Sequence, residues 1–337
     1  MTDILFVGAG AVGGPIAAWL AEAGHRVRVV ARGATADALE KSGIAWYTAD
    51  SPSKPHVARV EVVRDLATAS RPELVIVGVK TAALEGCLKE LRARFDDRLL
   101  VVGLQNGIEV LRILPAIFPR SALAIVHFNA WPDAPGLYGV QKRGPLLVVP
   151  MPTTSDEETR FVADTLADAT TASRARKARD AVLCKMVVNL AGSLQTLLAL
   201  HTRPPDDLDA LQWLLSSMMA EGVRTLKAAG VSEVKVPGTP PWLVMELAAT
   251  LPRPLVRPLF VANLRKMKKS SLAQDVERGV TDTELDAIHG ELVRLAETHG
   301  VEVPVMRTVL RLLEPRLSQR PFRPMQASEV AREARKG

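Results

Sequence analysis

The sequence is poor in several residue types, and each shortage excludes something. Two cysteines, Cys87 and Cys184, occur in 337 residues. That is too few for a disulfide framework or a cysteine-based zinc cluster, and it suits a reducing cytoplasm. Aromatic residues make up 4% of the chain. No basic stripe interleaves with them, as a groove for nucleic-acid strands would require. No run of 18 residues lacks polar groups. The nearest, 181–200, contains Lys185, Asn189 and Ser193, so no membrane span is expected. The N-terminal apolar run is short, carries Asp3 and breaks at Gly8, unlike a signal peptide. The six histidines have no metal-ligand spacing and there is no G-x-S-x-G elbow, so neither a metal centre nor a serine hydrolase is expected.

Net charge is +6, densest at Arg174–Arg179, Arg265–Lys269 and the C-terminal tail. Spread in this way, it reads as solvated surface or as complement to an anionic small ligand rather than to nucleic acid.

The length suits two domains of about 150 residues each. Up to residue 170, short apolar runs alternate with helical patterns. Strands are expected at Ile4–Val7, Arg26–Val30, Glu73–Val79, Leu99–Gly103, Ala122–Val126 and Gly144–Val149, with a helix at Pro15–Ala23. Alternation of this kind implies a doubly wound parallel α/β sheet covered on both faces. From about 174 onward, helical patterns dominate at 178–200, 207–229, 284–299 and 303–318, with Pro-rich breaks at 236–241 and 252–254. The expected division is an α/β domain at 1–172, an all-α domain at 173–318 and a loosely packed charged tail at 319–337.

Gly8, Gly10 and Gly13 form G-x-G-x-x-G directly after the first strand and at the opening of a helix. In that context the pattern is a dinucleotide-binding loop of the Rossmann type. Gly8 permits the tight turn, Gly10 admits a pyrophosphate close to the backbone, and Gly13 lets helix and strand pack. Ala11 and Val12 complete the loop at a helix N-terminus suited to phosphate. The second strand ends in Val30-Ala31-Arg32 with no acidic residue. A carboxylate there would bond the ribose hydroxyls of NAD, whereas a guanidinium suits a 2′-phosphate, so NADP(H) is favoured. A plain surface arginine is the other reading of Arg32.

The segment 181–200 is apolar except for one strip. At about 100° per residue, with Lys185 at zero, Asn189 falls near 40°, Ser193 near 80° and Thr196 near 20°. Such a helix is mostly buried and turns one narrow polar face toward something polar. A lysine there must be paired or lose basicity, which would equip it as a general acid near neutral pH, or its ammonium reaches the surface. Cys184 beside it reads as an inert buried thiol.

These pieces, together with Val79-Lys80, Gln105-Asn106-Gly107, Ser270–Asp275, Thr283–Asp286 and His299–Pro304, resemble the ketopantoate reductase (2-dehydropantoate 2-reductase) family over roughly 3–312. The resemblance implies NADPH-dependent reduction of a small 2-oxo acid, most simply 2-dehydropantoate to pantoate in pantothenate biosynthesis. It implies Lys185 as general acid, with Glu284 holding substrate and lysine. Asn106 would stand at the nicotinamide–substrate junction and Lys80 along the cofactor cleft. Asn189, Ser193 and Ser271 would be on the substrate, which binds between the two domains. A cytoplasmic homodimer is the expected assembly. The alternatives are a reductase of the same fold for another carbonyl compound, or a sensor that binds NADPH without turnover. Departures from the family pattern stand at Leu183, Ser193, His289, the 276–283 interval and the 127–131 segment. They are expected to fall on the substrate side, where they would reshape the pocket.

Overall fold

A computed structural model of the chain describes residues 1–267, 269–281 and 283–336. The chain divides into two compact units, Met1–Arg179 and the region from Asp180 onward.

The first unit runs β1 (Asp3–Val7), α1 (Gly13–Glu22), β2 (Arg26–Val30), α2 (Gly33–Ser42), β3 (Ile44–Thr48), β4 (His56–Ala58), β5 (Glu61–Val63) and β6 (Leu74–Val77). It continues with α3 (Thr81–Arg94), β7 (Leu100–Gly103), α4 (Val110–Ile117), β8 (Ser121–Val126), β9 (Ala130–Ala134), β10 (Leu137–Val140), β11 (Leu146–Pro150), α5 (Asp156–Ala169) and β12 (Ala172–Arg174). Eight strands form one sheet in the order β12-β11-β8-β7-β6-β1-β2-β5. From β8 to β5 every pairing is parallel. Ile4 and Phe6 of β1 join a core cluster with Trp19 of α1 and Leu166 of α5, and Leu5 between them is equally buried. A strand apolar on both sides needs cover on both, which is what a doubly wound sheet provides.

Two features depart from the expected sheet. Strand β11 runs antiparallel to β8, because a β-hairpin rather than a crossover helix joins the two. That hairpin belongs to a second sheet, β4-β3-β10-β9, whose turn carries Gly136 at φ 78°. The junction also falls later than 172/173. Strand β12 pairs with β11, so the first unit extends to Arg179.

The second unit is helical: α6 (Ala178–Leu198), α7 (Leu208–Ala228), α8 (Trp242–Thr250), α9 (Arg253–Lys266), α10 (Ser271–Glu277), a π-helical turn (Asp286–Gly290), α11 (Glu291–Thr298), α12 (Pro304–Leu313) and α13 (Ala327–Ala334). Helix α6 is long and apolar enough to cross a membrane, but 72% of that stretch is buried inside the protein. Helix α7 packs α8, α9, α11, α12 and α13 around itself, and Gly222 lets it approach Val187 and Leu190 of α6.

The tail is not loose. Ala327, Val330, Ala331 and Ala334 form a buried stripe on α13. The Asp206 carboxylate accepts the Ala327 N–H at 2.7 Å, and the Arg335 guanidinium lies over the Trp213 ring, 4.6 Å from its centroid. The stripe has helical spacing, and that was the overlooked signal beneath the charges.

Candidate active site

In the first unit, the loops after β1, β2, β6 and β7 all leave the C-terminal ends of parallel strands. Strand order reverses between β1 and β6, since β2 and β5 lie on one side of β1 and β6, β7 and β8 on the other. That is where an open α/β sheet leaves room for a ligand.

The glycines divide the work there. Gly8 has φ 99°, and a Cβ on it would stand 2.7 Å from the Val79 nitrogen. A Cβ on Gly13 would overlap the Gly8 carbonyl oxygen, so Gly13 serves the fold of the loop itself. A Cβ on Gly10 would meet nothing within 4 Å. That open space is a cradle in which a pyrophosphate would fit against the backbone. Ala11 and Val12 lead into α1, and the Tyr138 hydroxyl props the loop by donating to the Ala9 carbonyl. Gly78, missed in the sequence, completes the close approach, because its Cβ would lie 2.8 Å from the Gly8 oxygen. A glycine at the end of an apolar strand was its signal.

Arg32 lies two residues past β2, at the N-cap of α2, with its side chain 70% exposed and 3.6 Å from Glu90. Lys80 precedes α3 at its N-cap, and the neighbouring Thr81 hydroxyl donates to the Asn106 carbonyl at 3.4 Å. Gln105 fixes these two loops together. Its amide donates to the carbonyls of Val77 and Val79, both at 2.9 Å, while its Oε1 is buried without a partner among the described residues. Sequence reasoning assigned Gln105 no role, because its partners come from the end of β6 and the loop after it, 26 to 28 residues away.

In the second unit, the polar strip of α6 divides into two parts. Lys185 and Asn189 are half-buried, and Ser193 and Thr196 are sealed. Thr196 donates to the Gly192 carbonyl at 2.8 Å and lies 3.3 Å from the Ser270 hydroxyl. Ser270 in turn caps α10, accepting the Ala273 N–H, and donates its own N–H to the Gln195 side chain at 2.7 Å. That end of the strip therefore docks α10, at whose first turn Ser271 is exposed. Among the described residues, Lys185 makes no hydrogen bond or ion pair, and burial pulls its ammonium down to about 8. Glu284 is half-buried just before the π-helical turn, which its carbonyl helps close by accepting the Ile288 N–H at 3.1 Å. Cys184 is buried, and burial raises its thiol to about 11, consistent with an inert side chain.

Two departures expected on the substrate side lie in the core instead. Leu183 is fully buried. His289 is also fully buried, with Nε2 2.9 Å from the Met306 carbonyl. The buried Glu221 carboxylate accepts the N–H groups of Val305 and Met306 at 3.0 and 2.8 Å. Glu221 and His289 thus hold the opening turn of α12 from its donor and acceptor sides, and Pro304 starts that helix. A position in the family pattern specifies nothing about burial, so packing changes and pocket changes looked alike in sequence. Among the described residues, no cluster of His, Cys, Asp or Glu could hold a metal ion.

The profile of the family described as ketopantoate reductase PanE/ApbA matches residues 4–152, and that of its C-terminal part matches 177–316. The chain belongs to the ketopantoate reductase family. Relatives include the 2-dehydropantoate 2-reductase of Halobacterium salinarum, 28% identical over 78% of this chain and 82% of its own. Another is the 2-dehydropantoate 2-reductase of Caulobacter vibrioides, 26% identical over 93% of this chain and 98% of its own. Among solved structures, the 2-dehydropantoate 2-reductase of Methylococcus capsulatus aligns with a TM-score of 0.71 at 26% identity, covering 94% of this chain and 98% of that one. D-mandelate dehydrogenase in a ternary complex with NADH and anilino(oxo)acetate aligns at 0.74 with 19% identity, covering 95% and 99%. This last likeness is one of fold.

Proposed function

We propose that this family member reduces a small 2-oxo acid to the 2-hydroxy acid with NADPH, 2-dehydropantoate being the first candidate and pantothenate biosynthesis the setting. The observation that carries the reading is Lys185, a half-buried lysine that makes no ion pair among the described residues and whose ammonium has been brought to about 8 by burial. Reduction of a ketone adds hydride to carbon and a proton to oxygen. The nicotinamide supplies the hydride when bound. Lys185 stabilises the charge growing on the carbonyl oxygen and then donates the proton from Nζ. Glu284, Asn106, Asn189 and Ser271 orient the substrate in this reading, whereas the expected contact from Ser193 is dropped because that side chain is sealed. The glycine loop, Lys80 and Asn106 hold the cofactor. The exposed Arg32, with no acid at the end of β2, supports NADPH over NADH.

The test is cofactor oxidation with 2-dehydropantoate and a panel of other 2-oxo acids. Aryl 2-oxo acids belong in the panel because D-mandelate dehydrogenase shares the fold. Turnover of another oxo acid alone replaces the substrate and keeps the class. Tight NADPH binding with no turnover of any acid would favour the sensor reading and refute this one.

A further inference from the structure

We propose that His289 is a positioning residue for Glu284, fixing where that carboxylate stands toward the substrate. The inference rests on the reaction proposed above, in which Glu284 orients the oxo acid, and adds a group that acts on the substrate only through Glu284. The two residues share one short piece of coil. The Glu284 carbonyl accepts the Ile288 N–H at 3.1 Å, and the π-helical turn Asp286–Gly290 follows directly. Such turns are rare and are found frequently at functional sites. A carboxylate at the head of the turn shifts whenever the turn shifts, so what holds the turn also holds Glu284.

Polar side chains hold it from two sides. On the outer side Arg294 pairs with Asp286 at 2.7 Å, the two side chains being 50% and 71% exposed. An ion pair that open contributes little. On the inner side the fully enclosed His289 ring sets Nε2 2.9 Å from the Met306 carbonyl. A carbonyl only accepts, so the ring hydrogen lies on Nε2. Burial keeps the imidazole neutral near pH 7, which leaves Nδ1 bare, and Nδ1 has no partner among the described residues. The ring's one donor is thus committed to Met306. That carbonyl is a firm point of attachment, because the buried Glu221 carboxylate of α7 accepts the N–H groups of Val305 and Met306. Contacts therefore run from α7 through the first turn of α12 to His289, and along the π-helical turn to Glu284, all within the second unit.

The test is a double-mutant cycle on the full chain, read as kcat/KM for the 2-oxo acid that the wild type reduces. His289→Leu removes the donor and keeps an apolar side chain in the core. It should lower kcat/KM for the acid about tenfold to a hundredfold, as misplacement of an orienting group does, with the KM for NADPH unchanged. His289→Gln, whose amide can still donate to Met306, should recover most of the loss. In a Glu284→Ala background His289→Leu should have little further effect on kcat/KM, since residues acting through one group are not additive, yet it should lower the melting temperature equally in both backgrounds. Gln212→Leu, which removes a buried hydrogen bond to the Arg253 carbonyl elsewhere in the unit, should lower the melting temperature and leave kcat/KM unchanged. Hydrogen exchange at 285–290 should quicken in His289→Leu while α7 stays protected. Additive losses in the cycle, a glutamine variant no better than leucine, an equal loss from Gln212→Leu, or unchanged exchange at 285–290 would each overturn the proposal. Wild-type kcat/KM in Glu284→Ala would overturn it together with the role given to Glu284. A wild type that reduces no 2-oxo acid defeats the reaction instead, and exchange at 285–290 then decides whether His289 anchors the turn.

Discussion

Replacing Lys185 with methionine should stabilise the protein while abolishing turnover. Burial lowers the lysine from 10.5 to about 8. At neutral pH, holding the ammonium charged in that position therefore costs the folded state up to about 3 kcal/mol, at roughly 1.4 kcal/mol per pKa unit. Methionine keeps most of the volume and removes the charge. Because the folded value lies below the unfolded one, the native state binds fewer protons than the unfolded state between about 8 and 10.5. The Lys185 contribution to stability must then rise with pH across that window and level off above it, while the buried Cys87 and Cys184 thiols, raised to about 11, oppose it above 9 in wild type and variant alike. Urea denaturation should therefore show Lys185→Met more stable than the wild type at pH 7, with the gap closing toward pH 10. In turnover, losing a general acid should lower kcat by about 10²–10⁴-fold. The reduction rate of the wild type should fall as pH rises through about 8, where the proton is lost. Oxidation of the hydroxy acid, which needs the neutral amine, should rise through the same region. A stability gap between Lys185→Met and wild type that does not narrow from pH 7 to pH 10, or a Lys185→Met variant with wild-type kcat, would refute the reasoning.

Other substitutions separate the parts of the site. Gln105→Leu removes two hydrogen bonds and deprives the Val79 carbonyl of its donor from Gln105, while the Val77 carbonyl keeps the Leu104 N–H, which should cost about 2 kcal/mol. It should raise the KM for cofactor several-fold with little change in kcat, and Gln105→Glu, which faces those carbonyls with a carboxylate, should be worse. Gly13→Ala forces the overlap with the Gly8 oxygen and should lower the melting temperature, whereas Gly10→Ala points into open space and should weaken cofactor binding at unchanged stability. Calorimetry and cofactor titration distinguish the pair. His289 is pushed down to about 4 by burial. The unfolded state therefore binds the extra proton first, and stability should fall as pH drops from about 6.5 toward 4. His289→Gln should flatten that acid dependence in denaturation curves.

Local features carried much of this protein's organisation. The glycine spacing after an apolar pentapeptide, the absence of an acid after Val30 and the single polar strip on an apolar helix are all short-range patterns. Each reflects backbone or side-chain constraints acting within a few residues, so each was legible in the chain. Tertiary structure alone decided what faces what. Gln105 became a clamp only when β6 and β7 became neighbours in one sheet. The strip on α6 divided because Ser270 arrives from 74 residues away to meet Thr196. His289 is a core group because it meets the Met306 carbonyl in the opening turn of α12, and Leu183 is one because the packing around α6 leaves it no exposure. The direction of β11 was set by a hairpin whose strands pair in a separate sheet. Burial is a property of all the elements that meet at a point, and the charge state of Lys185 follows from burial. The sequence by itself could mark that lysine as unusual, but only the packed fold determines how strongly it holds its proton.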